Sequence, residues 1–184
     1  MFKNQKQNIS LEMTASLAML VAISIILGKY LAIPVGEVLR FSFENLPIIF
    51  AGIAFGPLPA MLVGITADIV GCILVGYGIN PIVTLGAAVI GLISGFIPML
   101  LKKYTKLSGA PLIIITAALS HLFGSVLIKT FGLAVFYDMP LFILMLWRLL
   151  NYAIVSSLEI LLLCILFKRD GIRRQIEKLK QKSK

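Results

Sequence analysis

Long apolar runs alternate with short polar breaks along the whole chain. Five runs come close to or exceed the roughly 20 residues that a helix needs to cross a bilayer: 13–33, 58–76, 81–101, 110–136 and 140–167. A sixth, 46–56, is short and is bracketed by Pro47 and Pro57. The first run is followed by no small-residue cleavage site and leads into further apolar runs, so it is expected to stay as a span and not to leave as a signal peptide. The stretch 168–184 is different, basic and amphipathic, and is expected as a solvated or membrane-surface helix. There is no internal repeat and no separate soluble domain, so residues 1–184 are expected to form one membrane domain.

Composition agrees with the pattern. Hydrophobic residues make up 59% of the chain and charged residues 14%, against about half and about a quarter in a soluble domain. The formal charge of +9 at first suggests nucleic acid, but its distribution excludes that reading. Eight of the seventeen Lys and Arg follow Phe167, and Lys102, Lys103 and Lys106 form a second cluster. Both flank apolar runs, where positive charge marks the cytoplasmic side and attracts anionic lipid. Cys72 and Cys164 sit singly inside apolar runs and suit packing better than a disulfide or a metal site.

Charge also sets the span count. Lys3 and Lys6, the Lys102 cluster and the C-terminal tail all favour the cytoplasm. Lys3 shares a side with Lys102 only if an even number of spans separates them, so 46–56 has to cross. The expected fold is therefore all-α, a six-transmembrane-helix bundle with both termini cytoplasmic. Loop 57–59 is inside, and the loops near 34–45, 77–80 and 137–139 are outside. In a five-span alternative, 46–56 is a re-entrant or interfacial piece. Small residues recur one turn apart at Ala15, Ala18 and Ala22, at Gly91 and Gly95, and at Gly64 before Asp68, a pattern that lets helix backbones approach closely in lipid.

A titratable group inside a span is costly and marks a functional site by default. Asp68, Lys129, Arg148 and Glu159 qualify, with His121 a weaker case. Asp68 lies eight residues before Gly76, Lys129 seven before Phe136, and Arg148 eight after Pro140. At about 1.5 Å per residue, the three sit at one depth in the outer half of the bundle, around a polar pocket open to the outside. His121, Ser125 and Lys129 share a stripe, Arg148 and Tyr152 share a face with Asn151 beside them, and the outer loops add Arg40, Tyr77, Asn80 and Tyr137. Cations for a carboxylate, an acid for ring N–H groups and aromatics for stacking suit a flat, nitrogen-rich anionic molecule. Structural alternatives stand beside this: Asp68 paired with Arg148 or Lys129, Lys129 snorkelling outward, and Trp147 as an interfacial anchor. Glu159 falls in the inner half, protonated or bonded to a helix neighbour, outside the substrate site.

No P-loop, paired carboxylates or nucleophile–base set is present, so neither ATP hydrolysis nor other catalysis is expected of this chain. At this size it reads as a binding subunit that needs a partner.

LRFSFENLPIIFAGIAFGP (39–57), GITADIVGCILVGYGINPIVTLGAAVIGLISG (64–95), SHLFGSVLIKTFGL (120–133) and WRLLNY (147–152) resemble the substrate-binding S components of energy-coupling factor (ECF) transporters, and most of all their folate-specific branch. The resemblance implies a six-helix vitamin-binding protein of a prokaryotic plasma membrane, without cofactor. Its implied partners are one transmembrane coupling protein and two ATPases, the lipid bilayer and a vitamin. It further implies that Ala18 and Ala22, extended by Ala15, dock on the coupling protein. Riboflavin, thiamine or a pyrimidine precursor are the alternative ligands, and a small polytopic membrane enzyme is the alternative class.

Overall fold

The computed structural model describes residues 10–35, 39–105 and 107–182. Lys3, Lys6, Lys106 and Lys184, four of the charges that bear on the topology, lie outside the described residues. Among the described residues, five helical segments are long and apolar enough to cross a membrane: Leu11–Tyr30, Pro57–Val75, Pro81–Tyr104, Ala110–Tyr137 and Leu141–Lys168. In chain order the elements are α1 (Leu11–Ile25) with a π turn at its end (Ile26–Tyr30), β1 (Ile33–Val35), β2 (Leu39–Phe41) and α2 (Asn45–Phe55). Next come α3 (Pro57–Val75), α4 (Pro81–Tyr104) and α5 (Ala110–Ser120). A π segment (His121–Lys129), α6 (Thr130–Tyr137), α7 (Leu141–Lys168) and α8 (Asp170–Lys182) complete the chain.

Three features depart from the sequence reading. The loop near 34–45, expected outside, holds a two-stranded antiparallel hairpin, with Ile33 opposite Phe41 and Pro34 opposite Arg40, so the fold is helical but not purely α. The expected loop 57–59 is reduced to one residue: Gly56 at φ +99° ends α2, and Pro57 opens α3, where its missing N–H costs nothing. That φ lies in a region open almost only to glycine. The basic tail does not stand alone either, because Ile176 and Leu179 of α8 are buried in the main core cluster.

The short helix is the centre of the molecule. Ile48, Ile49, Ala51 and Ala54 of α2 are essentially fully buried, and they join Met13, Ala60, Val63, Ile90, Ile113, Ala117 and Leu163 in one core. A helix apolar on all sides is a buried helix, which accounts for the absence of any polar face in 46–56. α3 and α4 form the most extensive helix pair, at contacts where no side chain fits. A Cβ on Gly64 would meet the Ala87 carbonyl, one on Gly91 the Ala60 carbonyl, and one on Gly95 the backbone of Pro57. The outer faces of α1 and α3–α7 carry exposed Leu, Ile and Phe, the surface a bilayer would cover.

Candidate functional site: a polar cavity at one end of the bundle

Five local features aim polar groups into one cavity. The π turn at Ile26–Tyr30 ends α1 with Lys29. The hairpin presents Arg40, and the chain leaving it presents Ser42 and Glu44 just before α2. Asp68 and Cys72 come from α3, and Arg148 and Tyr152 from α7. Lys129 is the last residue of the second π segment. An α-helix advances residues i and i+4 by about 40° relative to each other. The wider turn of a π-helix shifts that offset in the opposite sense, and His121, Ser125 and Lys129 are all three buried.

Arg40, Asp68, Tyr77, Asn80, Lys129, Tyr137, Arg148 and Tyr152 all line this cavity, which encloses about 140 Å3. Lys29, Ser42, Glu44 and Cys72 also line it and are not among the site residues expected from the sequence. Lys29 lies inside the first apolar run and met the same criterion as Lys129. Glu44 gave no signal, since it falls in a segment that reads as loop.

Glu44 changes the electrostatics. Lys129 Nζ donates to Glu44 Oε1 at 2.6 Å and approaches Asn45 Oδ1 at 3.4 Å. The salt-bridge partner of Lys129 is therefore Glu44 and not Asp68, and its ammonium is buried instead of snorkelling outward. Burial by itself would raise the Glu44 carboxyl, but the ammonium groups of Lys129 and Lys29, with Arg148, hold it down at about 2. Asp68 is not paired with Arg148 either: its Oδ2 accepts from Thr84 Oγ1 at 2.6 Å.

Arg148 donates through one terminal nitrogen to the Ser125 carbonyl (3.1 Å) and to the Tyr152 hydroxyl (3.3 Å). Its buried Nε has no hydrogen-bond partner among the described residues, a costly arrangement. Arg40 stacks on the Tyr77 ring at 4.5 Å, and Tyr77 and Tyr137 are half-exposed at the rim. Lys29 Nζ lies 3.7 Å from Cys72 Sγ, so Cys72 faces the polar cavity and is not simply a packing residue.

Three predicted residues serve other ends. Asn80 touches the cavity, yet its Oδ1 caps α4 through Ile82 and Val83, and its Nδ2 donates to the Gly132 carbonyl at 2.8 Å. His121 lies one layer below, with Nε2 2.5 Å from Glu159 Oε2 and its ring 5.1 Å from that of Tyr152. Asn151 faces the hairpin and donates to the Arg40 carbonyl at 3.2 Å. Neither His121 nor Asn151 lines the cavity. Trp147 is 56% exposed and stands outside it, as an interfacial anchor does. Among the described residues no cluster of His, Cys, Asp or Glu is arranged to hold a metal ion.

A family model described as "ECF-type riboflavin transporter, S component" matches residues 8–169. The fold is similar to a crystal structure of FolT bound with folic acid, with TM-score 0.67 and 24% identity, covering 83% of this chain and 90% of that one. It is also similar to the S-component for biotin from an ECF-type ABC transporter, with TM-score 0.62 and 21% identity, covering 94% and 97%. No curated protein matches the sequence.

Proposed function

The chain belongs to the family of ECF-type riboflavin transporter S components, and on that premise we propose that it is the folate-binding subunit of such a transporter. The charge of the cavity carries this reading. Lys29, Arg40, Lys129 and Arg148 face Glu44 and Asp68. With Lys129 and Glu44 neutralising each other, three cations oppose one acid, an excess that selects an anion. A folate-type ligand offers a flat pterin to the Tyr rings, N–H groups to Asp68, and glutamyl carboxylates to Arg40, Arg148 and Lys29. The enclosed 140 Å3 is below the roughly 300 Å3 at which small-molecule pockets begin, so a vitamin enters with displacement of the rim carrying Arg40, Tyr77 and Tyr137. The vitamin is cargo, and no cofactor takes part.

Absorption and mass spectra of ligand released from the purified protein test the assignment, and a pterin spectrum with the mass of a folate is expected. The description of the matching family favours a second reading, riboflavin. A flavin spectrum would overturn the folate assignment in its favour.

In this reading the chain is one membrane domain that crosses a prokaryotic plasma membrane six times, α2 included, with both termini cytoplasmic. The ion pair between Lys182 of α8 and Glu12 of α1, at 2.5 Å, supports a common side for the two ends. The energy comes from a separate module of one transmembrane coupling protein and two ATPases. Ala15, Ala18 and Ala22 are exposed on α1, away from the cavity, and form the surface for that module. Ala18→Trp is accordingly expected to leave vitamin binding intact and to abolish uptake in cells that carry the module. Normal uptake by this variant would remove the docking assignment.

A further inference from the structure

A second cavity, of about 410 Å3, lies at the opposite end of the bundle, where α4 ends, α5 begins and α7 passes into α8. Its wall is strongly basic. Lys102, Lys168, Arg173 and Lys180 line it against a single acid, Glu177, and none of these five forms an ion pair among the described residues. Its floor is apolar, made by Leu112, Ile113, Phe167 and Ile176. The start of α5 opens into it at Gly109 and Ala110, and no side chain caps that helix. The positive dipole end of α5 thus lies at the cavity.

A basic rim above an apolar floor is complementary to one chemical class, an anionic amphiphile. We propose that this cavity seats an acidic phospholipid, with its phosphate among Lys102, Lys168, Arg173 and Lys180 and an acyl chain against the floor. Burial and the nearby ammonium of Lys102 push the Lys180 ammonium below its ordinary value, with Glu177 offsetting part of this. A phosphate between the two lysines relieves that repulsion. Placing this face in the cytoplasmic leaflet rests on the topology proposed above, whereas lipid binding itself does not.

Native mass spectrometry in a neutral detergent, with short-chain phosphatidylglycerol and phosphatidylcholine as probes, tests the site. One phosphatidylglycerol is expected to bind in preference to phosphatidylcholine. Lys102→Gln combined with Lys180→Gln is expected to weaken that binding about 25-fold, at about fivefold per cation. Arg174→Gln combined with Lys178→Gln removes the same charge from α8 outside the cavity and is expected to leave binding near the wild-type value. The unfolding midpoint in the same detergent verifies each variant's fold, whichever vitamin the protein carries. Equal weakening by the two double variants would overturn the site in favour of diffuse attraction to the tail. Equal binding of phosphatidylcholine would overturn it as well. Full competition by inorganic phosphate would show that free phosphate, and not lipid, is the occupant.

Discussion

Lys129→Ala is expected to destabilise the protein by about 3 kcal/mol, the lower end of the range for breaking a buried ion pair. The loss comes less from the missing attraction than from what remains, the Glu44 carboxylate at the cavity wall with its nearest cation gone. Glu44 keeps 22% side-chain exposure while Lys129 keeps 4%, so water screens part of the cost and the upper end of the range is not reached. Denaturant titration in detergent reads the effect. Lys129→Met combined with Glu44→Gln removes both charges at similar volume and is expected to recover more than half of it. If the single variant costs under about 1 kcal/mol, the pair does not hold the site together.

The pair also has a pH signature. Glu44 titrates at about 2 in the folded protein against an ordinary value of 4.5. Its folded pKa is depressed, so its contribution is complete above about pH 4.5 and fades as pH falls toward 2. The Lys129→Met/Glu44→Gln protein should lack that acid-dependent step.

Gly91→Val is expected to be worse still, costing at least about 3 kcal/mol and leaving little folded monomer. At Gly91 the added Cβ would meet the Ala60 carbonyl group and the Met61 nitrogen. These are backbone atoms of α3, which no rotamer change can clear. Separating α3 from α4 would open the largest helix contact in the bundle and move Asp68 away from Thr84, with loss of the cavity as well as of stability. Gly171→Ala, where a Cβ meets nothing within 4 Å, is the control and should be neutral. Size-exclusion profiles and unfolding midpoints compare the two. A monodisperse Gly91→Val protein with a wild-type midpoint would show that the α3–α4 contact is looser than described.

Much of the candidate site could be read before the fold was known. Asp68, Lys129 and Arg148 were brought together by helix direction and residue count alone, and all three line one cavity. That worked because rise per residue is nearly constant along a helix, so depth is a one-dimensional quantity. Rotation about the helix axis is not. His121 and Lys129 share a stripe, yet His121 turns to Glu159 beneath the cavity. Asn151, one position off the Arg148 face, turns to the hairpin backbone. Asn80 was legible as a polar residue at the right depth, but its place before Pro81 makes it a helix cap.

By itself the sequence determined the solvent of this protein and the positions of its long helices. Apolar runs of spanning length and basic flanks are local properties that a bilayer reads directly. It also determined which polar side chains lie near one depth of the bundle. Only the tertiary structure decided which charges meet. Lys129 and Glu44 are 85 positions apart, and their pairing depends on where the chain enters α2 after the hairpin. Likewise, only packing showed that the short helix forms the core and that the basic tail closes a second cavity. Both follow from side-chain complementarity between helices, which length, composition and charge order along one chain do not encode.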